Sequence, residues 1–470
     1  MTDNKSSLII GTGKSGIAAA GLILADQGRV ILFDENRELD CEAVLEKVLD
    51  EFMLRRGLPR MGQDREEVKA RISFLIGIDS LTDDLLKDVG QAVISPGVPV
   101  DGEAAVRISG AGIPLVGEIE LAWRYEKGRV LAVTGTNGKT TTTSLLGQIM
   151  KRAGYRTLVV GNIGTPYTGM VKETSADSVT VAEISSFQLE TTKEFHPVVS
   201  AILNLTPDHL NRHHTMENYV RAKQDITRAQ TGGDVCVLNA ADAYTEEFVK
   251  RCPARTVLFS SVGELKEGYY LKDQVIYRAR DSVSEPLIAM SETHLLGDHN
   301  AENIMAAIAM AEAAGADMER ILEAVRDFHA VEHRIEFVQT VAGVDYYNDS
   351  KGTNPDAAIK AIRAMVKPTW LIGGGYDKDS TYDEWIESFD GKVRGLVLIG
   401  QTADKIAACA REHGFEAIYM ADSLQQAVQI CHDNAGEGEA VLLSPACASW
   451  GMFKNYEQRG DLFKKIVGEF

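Results

Sequence analysis

Short apolar runs alternate along the chain with stretches in which apolar residues recur at helical spacing, and polar, glycine-rich clusters separate the two. Ser7 to Ile10, Val30 to Phe33, Ala92 to Ile94, Val130 to Val133, Leu158 to Val160, Val179 to Ala182, Val198 to Leu203, Trp370 to Ile372, Leu396 to Ile399 and Ala440 to Leu443 are all of strand length. Strands alternating with helical patterns predict an α/β protein built of doubly wound sheets. The stretch from Arg129 to Thr143 organises the rest. Its apolar run breaks into Thr134-Gly135-Thr136-Asn137-Gly138-Lys139-Thr140, and the helix predicted from about Thr140 to Arg152 then puts Leu145, Leu146, Ile149, Met150 and Ala153 on one face, with Gly154 as its stop.

Strand, glycine loop and helix in that order make a phosphate receptacle. The unpaired N–H groups at the helix start and the positive end of its dipole attract an anion, and glycines let the backbone close around it. Lys139 would reach the terminal phosphates, and Thr140 or Thr141 would offer a hydroxyl to a magnesium ion bridging them. The usual eight-residue loop has a glycine where this chain has Val133, so the match is to the shorter Gly-x-x-Gly-Lys-Thr.

Other polar groups stand at strand ends. Gly11-Thr12-Gly13-Lys14-Ser15-Gly16 follows the first strand and Asp34 ends the second, an arrangement open to dinucleotide binding, to another nucleotide or to a plain tight turn. Ser95-Pro96-Gly97 is a ligand loop or a proline-fixed turn. Glu183 closes an apolar strand, where an ionised carboxylate needs a cation or caps the next turn. His209, His213 and His214 do not have finger spacing, and zinc is not expected there; His209, beside Asp208, is the one to watch. Lys223 lies on a helix predicted from Met216 to Gln230, where a solvated lysine is the default. Asn300 and Asn303 open an alanine-rich helix as caps or nucleotide contacts. In the last third, Asp349 to Asn354, Tyr376 to Lys378 and Ser444 to Ser449 share the carboxyl rim of one predicted sheet and suit a small carboxylate ligand.

Length and composition narrow the class. A chain of 470 residues forms about three domains, with boundaries expected at 1–117, 118–330 and 331–470. The polar opening Met1 to Lys5 and the shortness of the apolar runs argue against a signal peptide or membrane insertion, so a cytoplasmic protein is expected. The six cysteines form no Cys-x-x-Cys pair and are expected to be reduced. A net charge of −19 argues against nucleic acid. The segment from about Cys41 to Lys69, charged and helical in pattern apart from a break at Gly57-Leu58-Pro59, reads as a solvated surface addition.

Taken together and in order from Ile9 to Phe470, these segments resemble the Mur ligases of bacterial cell-wall synthesis. The resemblance is carried by Thr134-Gly-Thr-Asn-Gly-Lys-Thr140, Glu183-Ile-Ser-Ser-Phe-Gln-Leu-Glu190, Asp208-His209, Tyr219 to Lys223, His299-Asn300-x-x-Asn303, His333-Arg334, Asn348-Asp-Ser-Lys-Gly-Thr-Asn354 and Ser444-Pro-Ala-Cys-Ala-Ser449. It implies an N-terminal Rossmann-like domain for a UDP-linked substrate, a central P-loop ATPase-like domain and a C-terminal Rossmann-like domain for the amino acid. The second and last blocks resemble those of members that add D-glutamate to UDP-N-acetylmuramoyl-L-alanine through an acyl phosphate, with ATP and two magnesium ions.

Carried over residue by residue, the resemblance makes Lys139, Glu183, His209 and Lys223 catalytic, with Thr140, Glu183, His209 and Lys223 holding metal and Lys223 carried as a carbamate. Gly135, Thr136, Asn137, Gly138, Lys139, Thr140, Thr141, Asn300, Arg334 and Asp349 would bind ATP. Ser15, Asp34, Ser95, Gly97, Asn162 and Ser185 would bind the UDP-linked substrate, and Lys351, Thr353, Lys378, Ser449 and Tyr456 the D-glutamate. A monomer is expected. An oxidoreductase would leave the phosphate loop, Glu183 and Lys351 without work, and a phosphate-loop switch would leave the polar rim of the last third unexplained.

Overall fold

Strand and helix alternate as the apolar pattern requires, and the strands assemble into three separate, largely parallel sheets. The computed structural model describes residues 5–57, 63–329, 331–377 and 380–470. The expected break at Leu58-Pro59, the opening Met1 to Asn4, Ala330 at an expected boundary and the candidate ligand residue Lys378 lie outside the described residues.

The first sheet has five parallel strands in the order Ile72–Ile76, Val30–Asp34, Ser6–Ile10, Val89–Ile94, Leu115–Gly117. Strand order reverses beside Ser6–Ile10, where the glycine turn Gly11 to Gly16 and the Ser95 loop meet, the place at which such sheets bind ligands. The nine-stranded second sheet holds Arg129–Thr134 between Val199–Ile202 and Ser178–Glu183, with Arg156–Gly161 outside the latter and Val235–Asn239 and Arg255–Ser260 beyond the former. Because these strands run parallel, the tips of Arg129–Thr134, Arg156–Gly161, Ser178–Glu183 and Val199–Ile202 open on one edge. The third sheet runs Glu336–Val341, Val344–Asn348, Ala440–Leu443, Thr369–Gly373, Val393–Leu398, Ile418–Met420, parallel except for its first strand.

The described chain divides into two compact units. One takes the chain to Tyr270 with Arg278–Glu285 and Ile304–Ala324; the other takes Leu271–Tyr277, Pro286–Asn303 and the chain from Val325. Within the first, one apolar core runs from the helices of the first sheet (Ala19, Leu22, Val48) to residues around the second (Tyr167, Ile184, Leu189).

The segment after Cys41 corrects the expectation of a solvated addition. Helix Cys41–Arg56 buries Val44, Val48, Leu49, Phe52 and Met53, one apolar stripe at helical spacing beneath a charged outer face. It packs against helix Lys14–Ala25, where Gly21 is required: a Cβ there would lie 2.7 Å from Glu51 Cγ. Arg55 fastens it by donating to the carbonyls of Ala18 at 2.9 Å and Thr168 at 2.5 Å.

Candidate active site

The phosphate loop leaves the buried strand Arg129–Thr134 through two glycines with positive φ, Gly135 at 147° and Gly138 at 85°. Side chains are excluded at the first on steric grounds as well, since a Cβ would meet Leu203 Cβ at 3.0 Å and its amide at 3.2 Å. The neighbouring strand tip braces the loop. Asn204 takes the Thr136 amide on its carbonyl at 2.8 Å and the Asn137 amide on Oδ1 at 2.8 Å, and its Nδ2 donates back to Asn137 O at 3.1 Å. Thr136 Oγ1 pairs with the Tyr219 hydroxyl at 2.9 Å. Helix Lys139–Arg152 starts there, with Thr140 and Thr141 buried in its first turn.

Two lysines converge on one carbonyl. Lys139 Nζ donates to Gly135 O at 2.7 Å and Thr136 O at 2.8 Å, while Lys223 Nζ donates to the same Gly135 O at 2.8 Å. The two nitrogens are therefore no farther apart than the sum of their two bonds to that oxygen. Lys223 is not the solvated lysine its helix position suggests; it is 2 % exposed, with Nζ 4.8 Å from the Tyr219 ring centroid. Burial, and then the charge of Lys139, hold its pKa well below the lysine range, against the opposing pull of Asp208 and Glu183. A neutral amine is the form that reacts with carbon dioxide.

Glu183 ends strand Ser178–Glu183 on the same edge and is 2 % exposed. Its Oε1 accepts Asn162 Nδ2 at 2.8 Å, whereas Oε2 is buried with no hydrogen-bond partner. A carboxylate oxygen cut off from both water and donors is costly unless a cation meets it, so the donor set fits a metal ion. His209 stands in the left-handed region at φ 53°, with Nε2 3.4 Å from Asp208 Oδ2 and its ring 4.8 Å from that of Phe187. Ser185 is committed locally: its hydroxyl and Gln188 form a capping box on helix Ser186–Leu189.

On the first sheet, Asp34 Oδ2 takes both the amide and the hydroxyl of Thr12, at 3.1 and 2.7 Å, which closes the glycine turn. Ser95 Oγ donates to Gly11 O at 3.1 Å, Ser15 lies in the first turn of helix Lys14–Ala25, and Gly97 is exposed in the loop beyond. Arg212 ties this edge to the second sheet by donating to Val98 O at 3.0 Å and Glu190 Oε2 at 2.7 Å. Beside it opens a cavity of about 300 Å³ lined by Asp101, Glu190, Arg212, His213 and Asn218. Burial holds the His213 pKa down to about 4, so the ring is neutral near pH 7 where it meets Ser186 Oγ at 2.9 Å.

The second unit gathers its own polar group. Asn300 Nδ2 caps back to Leu296 O at 2.8 Å, and Asn303 Nδ2 donates to Asn300 Oδ1 at 3.0 Å. Asp349 accepts from Ser444 Oγ at 2.7 Å; burial raises its pKa to about 7 against the bond from Ser444 and the charge of Arg334. Lys351 places Nζ 5.1 Å from the Tyr456 ring centroid, Thr353 follows on the same loop, and Ser449 is buried at the end of the loop after strand Ala440–Leu443.

Sequence comparison adds to this geometry. Residues 133–311 match the Mur ligase middle domain and residues 333–447 match the glutamate ligase domain of Mur ligases. The UDP-N-acetylmuramoylalanine--D-glutamate ligase of Lachnospira eligens is 53% identical over 99% of this chain and 98% of its own length. The chain belongs to the Mur ligase family. The enzyme of the same name from Lachnoclostridium phytofermentans is 50% identical over 98% of both chains. The fold is shared with the MurC UDP-N-acetylmuramate-alanine ligase of Thermotoga maritima, at a TM-score of 0.60 and 18% identity over 99% of each chain. It is shared too with the Thermotoga maritima MurF ligase, solved in complex with ADP, at a TM-score of 0.57 and 18% identity over 82% of this chain and 91% of that one.

Motif reading passed over two residues of this Mur ligase. Asn204 braces the phosphate loop from a different strand. Arg459, fully buried on helix Tyr456–Val467, donates through Nε to Ser350 Oγ at 3.0 Å, through Nη2 to Ser350 O at 2.8 Å and through Nη1 to Cys447 O at 3.3 Å. It thereby clamps the Asp349 to Asn354 loop to the Ser444 to Ser449 loop. The neighbouring Gly460 leaves room for His333: a Cβ there would lie 2.2 Å from Nδ1.

Proposed function

We propose that this chain is an ATP-dependent ligase that joins D-glutamate to the terminal carboxylate of UDP-N-acetylmuramoyl-L-alanine in peptidoglycan biosynthesis, acting as a cytoplasmic monomer. The reading is carried by Lys139 and Lys223 converging on Gly135 O at the sheet edge where Glu183 Oε2 stands unpartnered. Residues 1–117 take the uridine diphosphate part, 118–330 the triphosphate and 331–470 the amino acid. Among the described residues no helix is long and apolar enough to cross a membrane.

The substrate carboxylate attacks the γ-phosphorus of ATP, ADP leaves, and the amine of D-glutamate adds to the resulting acyl phosphate. The tetrahedral adduct loses a proton and expels inorganic phosphate, leaving the amide. Lys139 and the loop amides of Gly135 to Thr141 hold the phosphates in line and neutralise charge that would otherwise repel the carboxylate. The neutral Lys223 amine takes up carbon dioxide and loses a proton to become a carbamate, which puts an anion where an uncharged amine had stood beside Gly135 O. Thr140, Glu183, His209 and carbamylated Lys223 would hold two magnesium ions, which supply further charge neutralisation at the phosphates. Asn162 and Ser185 are assigned to the muramoyl part, and Ser15, Asp34, Ser95 and Gly97 to the uridine diphosphate. Asn300, Arg334 and Asp349 are assigned to ATP, and Lys351, Thr353, Lys378, Ser449 and Tyr456 to D-glutamate.

The test is ADP release with each substrate alone and with both, followed by product mass with D-glutamate, L-glutamate and D-aspartate in competition. Release only with both substrates and a D-glutamyl product are expected. Slow release whatever is added would leave a nucleotide switch instead.

A further inference from the structure

Away from the site above, the second unit brings together three side chains of different ligand chemistry. Asp383 stands on helix Asp383–Glu387; Cys409 and His413 stand one turn apart at the end of helix Ala403–Glu412. One ligand atom from each lies within 4.8 Å of the other two. His413 Nε2 is already 3.2 Å from Asp383 Oδ1, and the Cys409 sulfur lies within 4.8 Å of the same carboxylate. Glu387, one turn beyond Asp383, approaches the other ring nitrogen, with Oε1 3.7 Å from Nδ1.

We propose that Asp383, Cys409 and His413 form a binding site for a zinc-class divalent cation, with Glu387 orienting the histidine. Tetrahedral zinc, with bonds of about 2.0–2.3 Å, holds its ligand atoms roughly 3.3–3.8 Å apart, so the set closes with small side-chain rotations. A carboxylate on the far nitrogen of a metal-bound histidine fixes its tautomer and raises its basicity. The cation replaces the thiol proton and one such proton is released: a thiolate and a carboxylate then balance its two positive charges, and a fourth position faces solvent. A cation is also favoured at the carboxyl end of helix Ala403–Glu412. The other acidic and histidine cluster among the described residues, Glu332, His333 and Asp461, is already served: Lys464 pairs with both carboxylates, and His333 Nδ1 meets Asn348.

The experiment titrates cobalt(II), then zinc(II), into the full chain after chelator treatment. The expected result is a thiolate-to-cobalt charge-transfer band saturating at one equivalent, bleached by zinc, absent in Cys409→Ser and weakened about tenfold or more in affinity in Glu387→Gln. The thiolate band separates this site from the thiol-free phosphate-loop edge, and ligase activity in Cys409→Ser is expected to be unchanged. No charge-transfer band, or a band that survives in Cys409→Ser, would overturn the proposal.

Discussion

Asp349→Asn tests how the buried acid of the second unit is loaded. Asp349 is 6 % exposed and carries a pKa raised to about 7 from 3.8, chiefly by burial. A folded-state pKa above the unfolded one means that the folded protein holds the proton more tightly. The cost to stability is absent below about pH 3.8, grows as pH rises through the window and levels off above about pH 7. Three units correspond to about 4 kcal/mol at the plateau, of which roughly 3 kcal/mol accrues between about pH 5 and about pH 8.5. Asparagine keeps an oxygen for Ser444 Oγ, now at 2.7 Å from the carboxylate, and never ionises. Denaturant unfolding of parent and variant at the two pH values cancels every other titrating group. The variant's stability relative to the parent should rise by about 2–3 kcal/mol from the lower pH to the higher. A difference that does not move with pH would refute the reasoning.

Glu183→Gln keeps an oxygen for Asn162 and removes the charge at the orphaned Oε2, so the magnesium needed for half-maximal rate should rise at least tenfold with the fold intact; an unchanged magnesium dependence would count against metal there. Arg459→Lys keeps the charge and loses the fork that joins Ser350 to Cys447, which should cost about 2–4 kcal/mol in denaturant unfolding and raise the KM for D-glutamate more than that for ATP. Removing dissolved carbon dioxide should lower the rate and bicarbonate should restore it, whereas Lys223→Ala should show neither response; a rate indifferent to bicarbonate in the parent would remove the carbamate from the account.

What could be read from residue order was local chemistry. The phosphate loop was legible because its function lies in backbone amides, two glycines and the Lys139-Thr140 pair, all within one short stretch. Glu183 was legible as a charge ending an apolar strand. Lys223 was not, because its burial is made by Tyr219 and the Gly135 carbonyl, which tertiary packing brings to it. Helix Cys41–Arg56 was misjudged because charged residues mask the stripe Val44, Val48, Phe52, and period rather than composition decides what a helix buries. Arg459 gave no pattern at all, since its partners stand 109 and 12 residues away in sequence. The cluster of Asp383, Cys409 and His413 was hidden likewise, because two helices supply it.

The central claim is that the substrate carboxylate is activated by phosphoryl transfer at the Lys139 loop. Its most direct test follows oxygen-18 from the alanyl carboxylate of the UDP-linked substrate through one turnover with ATP and D-glutamate. The account predicts one labelled oxygen in the inorganic phosphate released and one in the new amide. Label in a nucleotide product, or phosphate released without any, would contradict it.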